Sequence, residues 1–256
     1  MERINLQINN LNISLLDNKK NGDTLICLHG HFGTASNLAF VKDIFTGRVV
    51  IPDLRGHGLS DHATRYSVEE YVKDLENLIT ALDIENPLIF GHSLGGIIAI
   101  AYQALHQNAQ MLIIEDIGTE VSGSNEFLYK FPLEFLSVYE ADHVFKEVLH
   151  RPLSTYFMES LYYEENVWKF RFNYDDMIKS QKALNGNYLE QWKLIKCPVL
   201  LMRGEKSWVT NKDNIEEMLK ENENAISISY SNSAHSIHDD EREKFIKDFK
   251  SFIERL

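Results

Sequence analysis

Residues Pro87–Gly96 read P-L-I-F-G-H-S-L-G-G, an apolar run that breaks into Gly91-His92-Ser93-Leu94-Gly95. A serine held on a tight strand-to-helix turn presents its hydroxyl at a helix N-terminus. There the dipole and free N–H groups favour developing negative charge. Glycines at positions 91 and 95 remove the Cβ atoms that would collide in such a turn. This G-x-S-x-G pattern, flanked by a strand and a helix, predicts acyl transfer through Ser93. The chemistry asks for three further parts. The carbonyl oxygen needs donors as it becomes an oxyanion. The stretch Leu28-His29-Gly30-His31-Phe32-Gly33 can bring the His31 N–H beside that of Leu94 to form that hole. The serine also needs a base within hydrogen-bond reach, and the chain has 10 histidines to choose from. Finally, a carboxylate must hold the imidazole in one tautomer and stabilise its cation.

These groups must be carried by regular elements. Apolar runs suited to strands buried on both faces recur at Leu25–Leu28, Val49–Ile51, Leu88–Phe90, Met111–Ile114, Val199–Met202 and Ile226–Ile228. Helical patterns separate them. The clearest follows Ser67, with Glu70 placed for a capping box and apolar residues at 68, 71, 72, 75, 78, 79 and 82. This alternation predicts an α/β fold with a mostly parallel central sheet and helices on both faces. Ile4–Ile8 and Leu11–Leu16, joined by Asn9-Asn10, are expected to add an antiparallel hairpin at one edge. Between Gly118 and Lys196 no buried-strand run is evident, and aromatics crowd broken helical patterns. The expectation is a core domain of residues 1–117 and 197–256, with 118–196 as a helical insertion after the sixth strand.

Pro52-Asp53-Leu54-Arg55-Gly56-His57-Gly58-Leu59-Ser60 supplies a third motif. H-G-x, D-x-R-G-x-G-x-S and G-x-S-x-G, in this order, resemble the α/β-hydrolase superfamily over essentially the whole chain. The resemblance implies that residues 118–196 form a lid, and it points to the esterase-like serine branch. It implies that His235, in Ser233-Ala234-His235-Ser236, is the base, with Ala234 where the family usually carries glycine; His238 is the rival. His29, His31 and His57 are expected to be structural or to shape the oxyanion loop, and His92 to pack beside the serine. The family usually carries its acid just after the seventh strand, but this chain reads Arg203-Gly204-Glu205-Lys206-Ser207-Trp208-Val209, with no Asp there. Glu115 and Asp116, ending the sixth strand, are placed to substitute. Some superfamily members, including one group of haloalkane dehalogenases, are similar in carrying a Glu after that strand, so Glu115 is the expected acid. Asp116 is the alternative, Glu205 ranks third, and Trp208 either stacks near His235 or plugs a gap.

Composition narrows the remaining choices. Apolar residues make 44% and charged residues 25% of the chain, ordinary for a globular domain. The formal charge of −12 opposes nucleic acid and anionic membrane surfaces as partners. No signal peptide and no membrane-spanning run is evident, so a cytoplasmic protein is expected, as monomer or homodimer. Cys27 and Cys197 lie in apolar runs and are expected to be reduced thiols. No H-E-x-x-H, C-x-x-C, dinucleotide or Walker A pattern appears, so no cofactor and no metal are expected. Ser at position 93, where dehalogenases and epoxide hydrolases carry Asp, opposes an alkyl-enzyme ester. The expected function is a serine hydrolase of a small ester, thioester or lactone, acting through an acyl-enzyme. The alternatives are a ligand receptor or regulator with little turnover, and a C–C bond hydrolase or acyltransferase of the same fold.

Overall fold

The buried runs assemble, in a computed structural model that describes residues 1–255, into one eight-stranded sheet. Its strands are β1 (Glu2–Ile8), β2 (Leu11–Asp17), β3 (Thr24–Leu28), β4 (Arg48–Pro52), β5 (Leu88–His92), β6 (Met111–Glu115), β7 (Val199–Gly204) and β8 (Ala225–Tyr230). The spatial order is β1-β2-β4-β3-β5-β6-β7-β8. β1 pairs antiparallel with β2, and β2 antiparallel with β4; every later pairing is parallel. Asn9 and Asn10 close the edge hairpin with φ of 51° and 64°, the left-handed region that asparagine tolerates.

Every residue of β3, β5 and β6 is buried, which explains why these strands lack polar alternation. Helix α1 (Val68–Ala81) buries Val68, Tyr71, Val72, Leu75, Leu78 and Ile79 on one face of the sheet, beside α2 (Leu94–His106). On the other face the short helix Ala35–Asp43 and the helix Arg242–Ile253 cover Cys27, Phe90 and Ile113. The expected capping box at the start of α1 does not form, since Ser67 makes no side-chain cap. Glu70 turns instead to Arg55 at 3.1 Å and Arg65 at 3.0 Å. Arg55 is buried, pairs with Asp74 at 2.6 and 2.7 Å, and takes Glu70 as a further partner.

Residues 118–196 hold helices Val138–Leu149, Thr155–Met158, Tyr174–Leu184 and Leu189–Leu194. They are not helical throughout. Leu161–Glu164 and Val167–Phe170 form an antiparallel hairpin that turns at Glu165 and Asn166, whose φ values are 51° and 68°. Its strand signal is hidden in the sequence because all but one of its residues are half-buried or exposed, with neither buried-run nor clean alternation character. Phe131, Phe135, Phe145, Phe157, Phe170 and Phe172 make this segment's own core. Leu184, Tyr188, Trp192 and Ile195 pack into the main core instead, where Trp192 Nε1 donates to the Met218 carbonyl at 2.7 Å. Among the described residues, no helix is long and apolar enough to cross a membrane.

Candidate active site

β5 ends at His92, and Ser93 follows with φ 53° and ψ −116°, a conformation that costs on the order of 1–3 kcal/mol for a residue with a side chain. Its surroundings hold it there. The Ser93 N–H donates to the Glu115 carbonyl at 2.9 Å, and its carbonyl accepts from Gly96 N at 2.8 Å as α2 begins. A Cβ on Gly91 would lie 2.7 Å from Gly96 N, and one on Gly95 would strike the Leu28 carbonyl. The hydroxyl thus sits at the carboxyl end of a central strand and the head of a helix, and it forms no hydrogen bond to another described residue.

The imidazole and carboxylate come from neighbouring strand ends. Asp116 leaves β6 with φ 49°, and its N–H is held by the Met202 carbonyl at 2.8 Å. That bend swings its carboxylate over the end of β7. There Oδ1 accepts from Gly204 N at 3.0 Å and Thr210 Oγ1 at 2.9 Å. Oδ2 accepts from the Ser207 hydroxyl and from His235 Nδ1, the latter at 2.7 Å. A fully buried carboxylate with four donors is oriented in a single way. Because Asp116 accepts a hydrogen bond from His235 Nδ1–H, Nε2 is left as the nitrogen that can act as base. The His235 ring lies 4.7 Å, between centroids, from that of His92, and the His235 carbonyl accepts from His92 Nε2 at 2.8 Å. Burial holds the His92 imidazole down to about 3 despite the nearby Glu115 charge, so it is a neutral donor there.

Glu115, expected from sequence to hold His235, does not reach it. Its Oε1 accepts from His238 N at 2.9 Å, and both carboxylate oxygens lie 2.8 Å from His238 Nδ1. The reason is the strand's two-residue alternation. Met111, Ile113 and Glu115 share one face of β6, toward the helix Arg242–Ile253, whereas Asp116 lies past the strand's end and is free to turn across β7. Asp116 therefore occupies the space beside Gly204 and Ser207 where the family's usual acid was sought, while Glu205 is exposed. Trp208 does not plug that space: it is 63% exposed, its ring lies 5.8 Å from that of His235, and Arg151 covers it at 4.5 Å.

Glu115 and His238 are both fully buried. Burial pushes the Glu115 carboxyl up, but the His238 and His92 imidazoles and the His238 hydrogen bonds outweigh it and hold it at about 2. Burial pushes His238 down, and the Glu115 charge and hydrogen bond more than reverse that, leaving it raised. Removing one partner of such a pair costs about 3 kcal/mol. Glu115→Gln is therefore expected to lower Tm by roughly 5–10 °C. The depressed carboxyl contributes stability above its unfolded pKa near 4.5, lost as pH falls toward 2. The raised imidazole contributes below 6.5, and that share is lost as pH rises through its folded value. Thermal melts across pH should thus show the parent's margin over Glu115→Gln greatest near pH 5–6. A margin that does not change with pH would contradict the pairing.

The loop after β3 is a tight turn closed by Gly33 N donating to the Gly30 carbonyl at 3.2 Å, with Phe32 at φ 69°. His31 occupies the turn's first corner, where an N–H has no partner across the turn. Leu94 begins α2, where an N–H has no acceptor in the preceding turn. The remaining histidines of this region are held by hydrogen bonds. His29 Nδ1 donates to the Gly30 carbonyl at 2.8 Å while its Nε2 accepts from Leu54 N at 3.0 Å, and burial holds it at about 4. His57 Nδ1 donates to the Arg55 carbonyl at 2.9 Å. His31 Nε2 meets Ser180 Oγ at 2.8 Å, and burial lowers both the His57 and His31 rings to about 3. Asp53 binds Ala35 N at 2.6 Å and Arg3 at 2.7 Å, fastening the loop after β3 to the edge hairpin.

The comparisons with known proteins agree with this frame. The model of the alpha/beta hydrolase family matches residues 25–248. The chain belongs to the alpha/beta hydrolase family. Among relatives of this hydrolase, a zebrafish (Danio rerio) protein named sn-1-specific diacylglycerol lipase ABHD11 is 24% identical over 263 residues, covering 96% of this chain and 83% of that one. A Cupriavidus necator protein named 3-hydroxybutyrate-oligomer hydrolase is 34% identical over 110 residues, 41% of this chain and 38% of that one. Among solved structures, an E-2-(acetamidomethylene)succinate hydrolase aligns with a TM-score of 0.86 at 16% identity, covering 99% of each chain. An esterase from Exiguobacterium antarcticum aligns with a TM-score of 0.76 at 21% identity, covering 98% of each. At those identities the solved structures show the fold alone.

Two residues of this hydrolase's site carried no sequence signal for what they do. His92 was expected only to pack beside the serine, yet it also holds the His235 loop. Tyr156, one of many aromatics in the insertion, places its hydroxyl 2.9 Å from Gly30 N.

Proposed function

We propose that this alpha/beta hydrolase is a serine hydrolase that cleaves small carboxylic esters, or thioesters or lactones, through an acyl-enzyme. The observation that carries the reading is the 2.7 Å contact between His235 Nδ1 and the buried Asp116 carboxylate, beside the strained Ser93 turn. His235 Nε2 takes the Ser93 proton as Oγ attacks the substrate carbonyl. The N–H groups of His31 and Leu94 hold the oxyanion. His235 then gives the proton to the leaving alcohol or thiol and next activates the water that releases the acyl group. Asp116, and not Glu115, stabilises the imidazolium. No cofactor enters these steps, and the expected partner is a small ester-type substrate. The names of the lipase and oligomer-hydrolase relatives support ester chemistry. Asp116 supplies a carboxylate in the space after β7, which supports turnover over a receptor that lacks an acid there.

Stopped-flow release of 4-nitrophenol from 4-nitrophenyl acetate and butyrate tests the reading. The expected result is a burst of at most one equivalent followed by many turnovers. A stoichiometric burst with no further release would indicate a receptor, and turnover only of a dienoate panel would indicate a C–C bond hydrolase.

A further inference from the structure

The inserted segment is stitched to the oxyanion loop at three points. Gly30 N donates to Tyr156 Oη at 2.9 Å, Asn37 Nδ2 donates to the Tyr156 carbonyl at 3.0 Å, and the Ser160 hydroxyl donates to the Phe32 carbonyl. Tyr156 is 5% exposed, and its ring packs edge-on to His92 with centroids 5.4 Å apart. Having accepted from Gly30, the phenol still owns a proton, and that proton meets no acceptor among the described residues. Burial pushes its pKa up, well above the usual phenol value, so the proton stays on. A Cβ on Gly30 would lie 3.0 Å from Tyr156 Oη, 3.0 Å from Ser93 Cβ and 3.1 Å from His92 Nδ1. Tyr156 Oη and Ser93 Cβ are therefore at most 6.0 Å apart. An oxyanion donor must stand about 3 Å from an oxygen that itself lies close to the nucleophile, so this separation suits a donor. His92 Nδ1, at the same rim, is the buried acceptor without a partner.

We propose that Tyr156 is a catalytic residue: its hydroxyl donates to the oxyanion of the acyl-transfer intermediate, as a third donor beside the N–H groups of His31 and Leu94. The inference rests on the serine-hydrolase reading of Ser93. Gly30 N fixes the oxygen from behind, and the stitching at Asn37 and Ser160 fixes the segment, so the donor is oriented before substrate arrives. The insertion then does more than cover the site, because it supplies one of its working groups.

Tyr156→Phe keeps the ring against His92 and removes only the hydroxyl. With 4-nitrophenyl butyrate it is expected to lower kcat by about 10²-fold with KM changed by less than about threefold. The affinity of butylboronic acid, whose tetrahedral adduct carries the oxyanion, should fall in parallel with kcat. A packing role alone would lower Tm without linking those two losses. A kcat within about twofold of the parent, a rise in kcat as expected of a plug, or boronate affinity unmoved would overturn the proposal while leaving the Ser93 reading intact. Turnover that survives Ser93→Ala would remove both.

Discussion

Replacing Ser93 by alanine is expected to lower kcat for 4-nitrophenyl butyrate by about 10⁶-fold, to the level of the uncatalysed reaction aided only by binding and the oxyanion hole. The size follows from the role. Without Oγ there is no acyl-enzyme, and His235 and Asp116 are left with nothing to activate. Because the three groups act as a unit, His235→Ala should cost about as much as Ser93→Ala, and the double substitution little more than either. The fold should survive Ser93→Ala, since the hydroxyl bonds to no other described residue and relief of nothing but a side-chain oxygen is involved. Rates of the purified variants, with melting curves as the control, check this. Multiplying losses in the double variant would mean that the two groups act separately.

The second large effect separates the two carboxylates at the end of β6. Asp116→Asn should lower kcat by about 10⁴-fold, because an amide at that position favours the wrong tautomer of His235 and cannot stabilise its cation. Glu115→Gln should leave kcat within about tenfold at temperatures where the variant is folded, with its loss appearing in Tm instead. Both residues are buried and each lies against a histidine, so burial does not distinguish them; the partner does. A Glu115→Gln variant that melts like the parent but loses several orders of magnitude in kcat would reverse the assignment. Parallel kinetics and melts on the two variants decide it.

The fold and the serine were legible because local patterns encode them. A buried five-residue run, a glycine-flanked serine and an amphipathic stretch each lie within a short window, and β5, Ser93 and α2 form where those windows predict. His235 stands out in the sequence by its place between β8 and the final helix, and in the structure it lies 2.7 Å from a buried carboxylate. The identity of the carboxylate was not legible. Glu115 and Asp116 are adjacent, and what separates them is a left-handed φ at Asp116 that turns one side chain over β7 and leaves the other on the strand face. Alignment to a strand end has no access to that dihedral. The vacant acid position after β7 was a true signal, since Ser207 and Gly204 there now donate to a carboxylate from the neighbouring strand. The hairpin at 161–170 and the reach of Tyr156 to Gly30 depend on contacts more than a hundred residues apart or on half-exposed aromatics, and short windows carry neither.

The central claim is that a covalent acyl group forms on Ser93 when His235, backed by Asp116, takes its proton. Rapid acid quench during turnover of 4-nitrophenyl butyrate, followed by peptide mapping by mass spectrometry, tests it most directly. A butyryl adduct is expected on the peptide containing Ser93, approaching one equivalent when deacylation is slow and absent in His235→Ala. An adduct on any other residue, or turnover with none under conditions that trap a control acyl-enzyme, would contradict it.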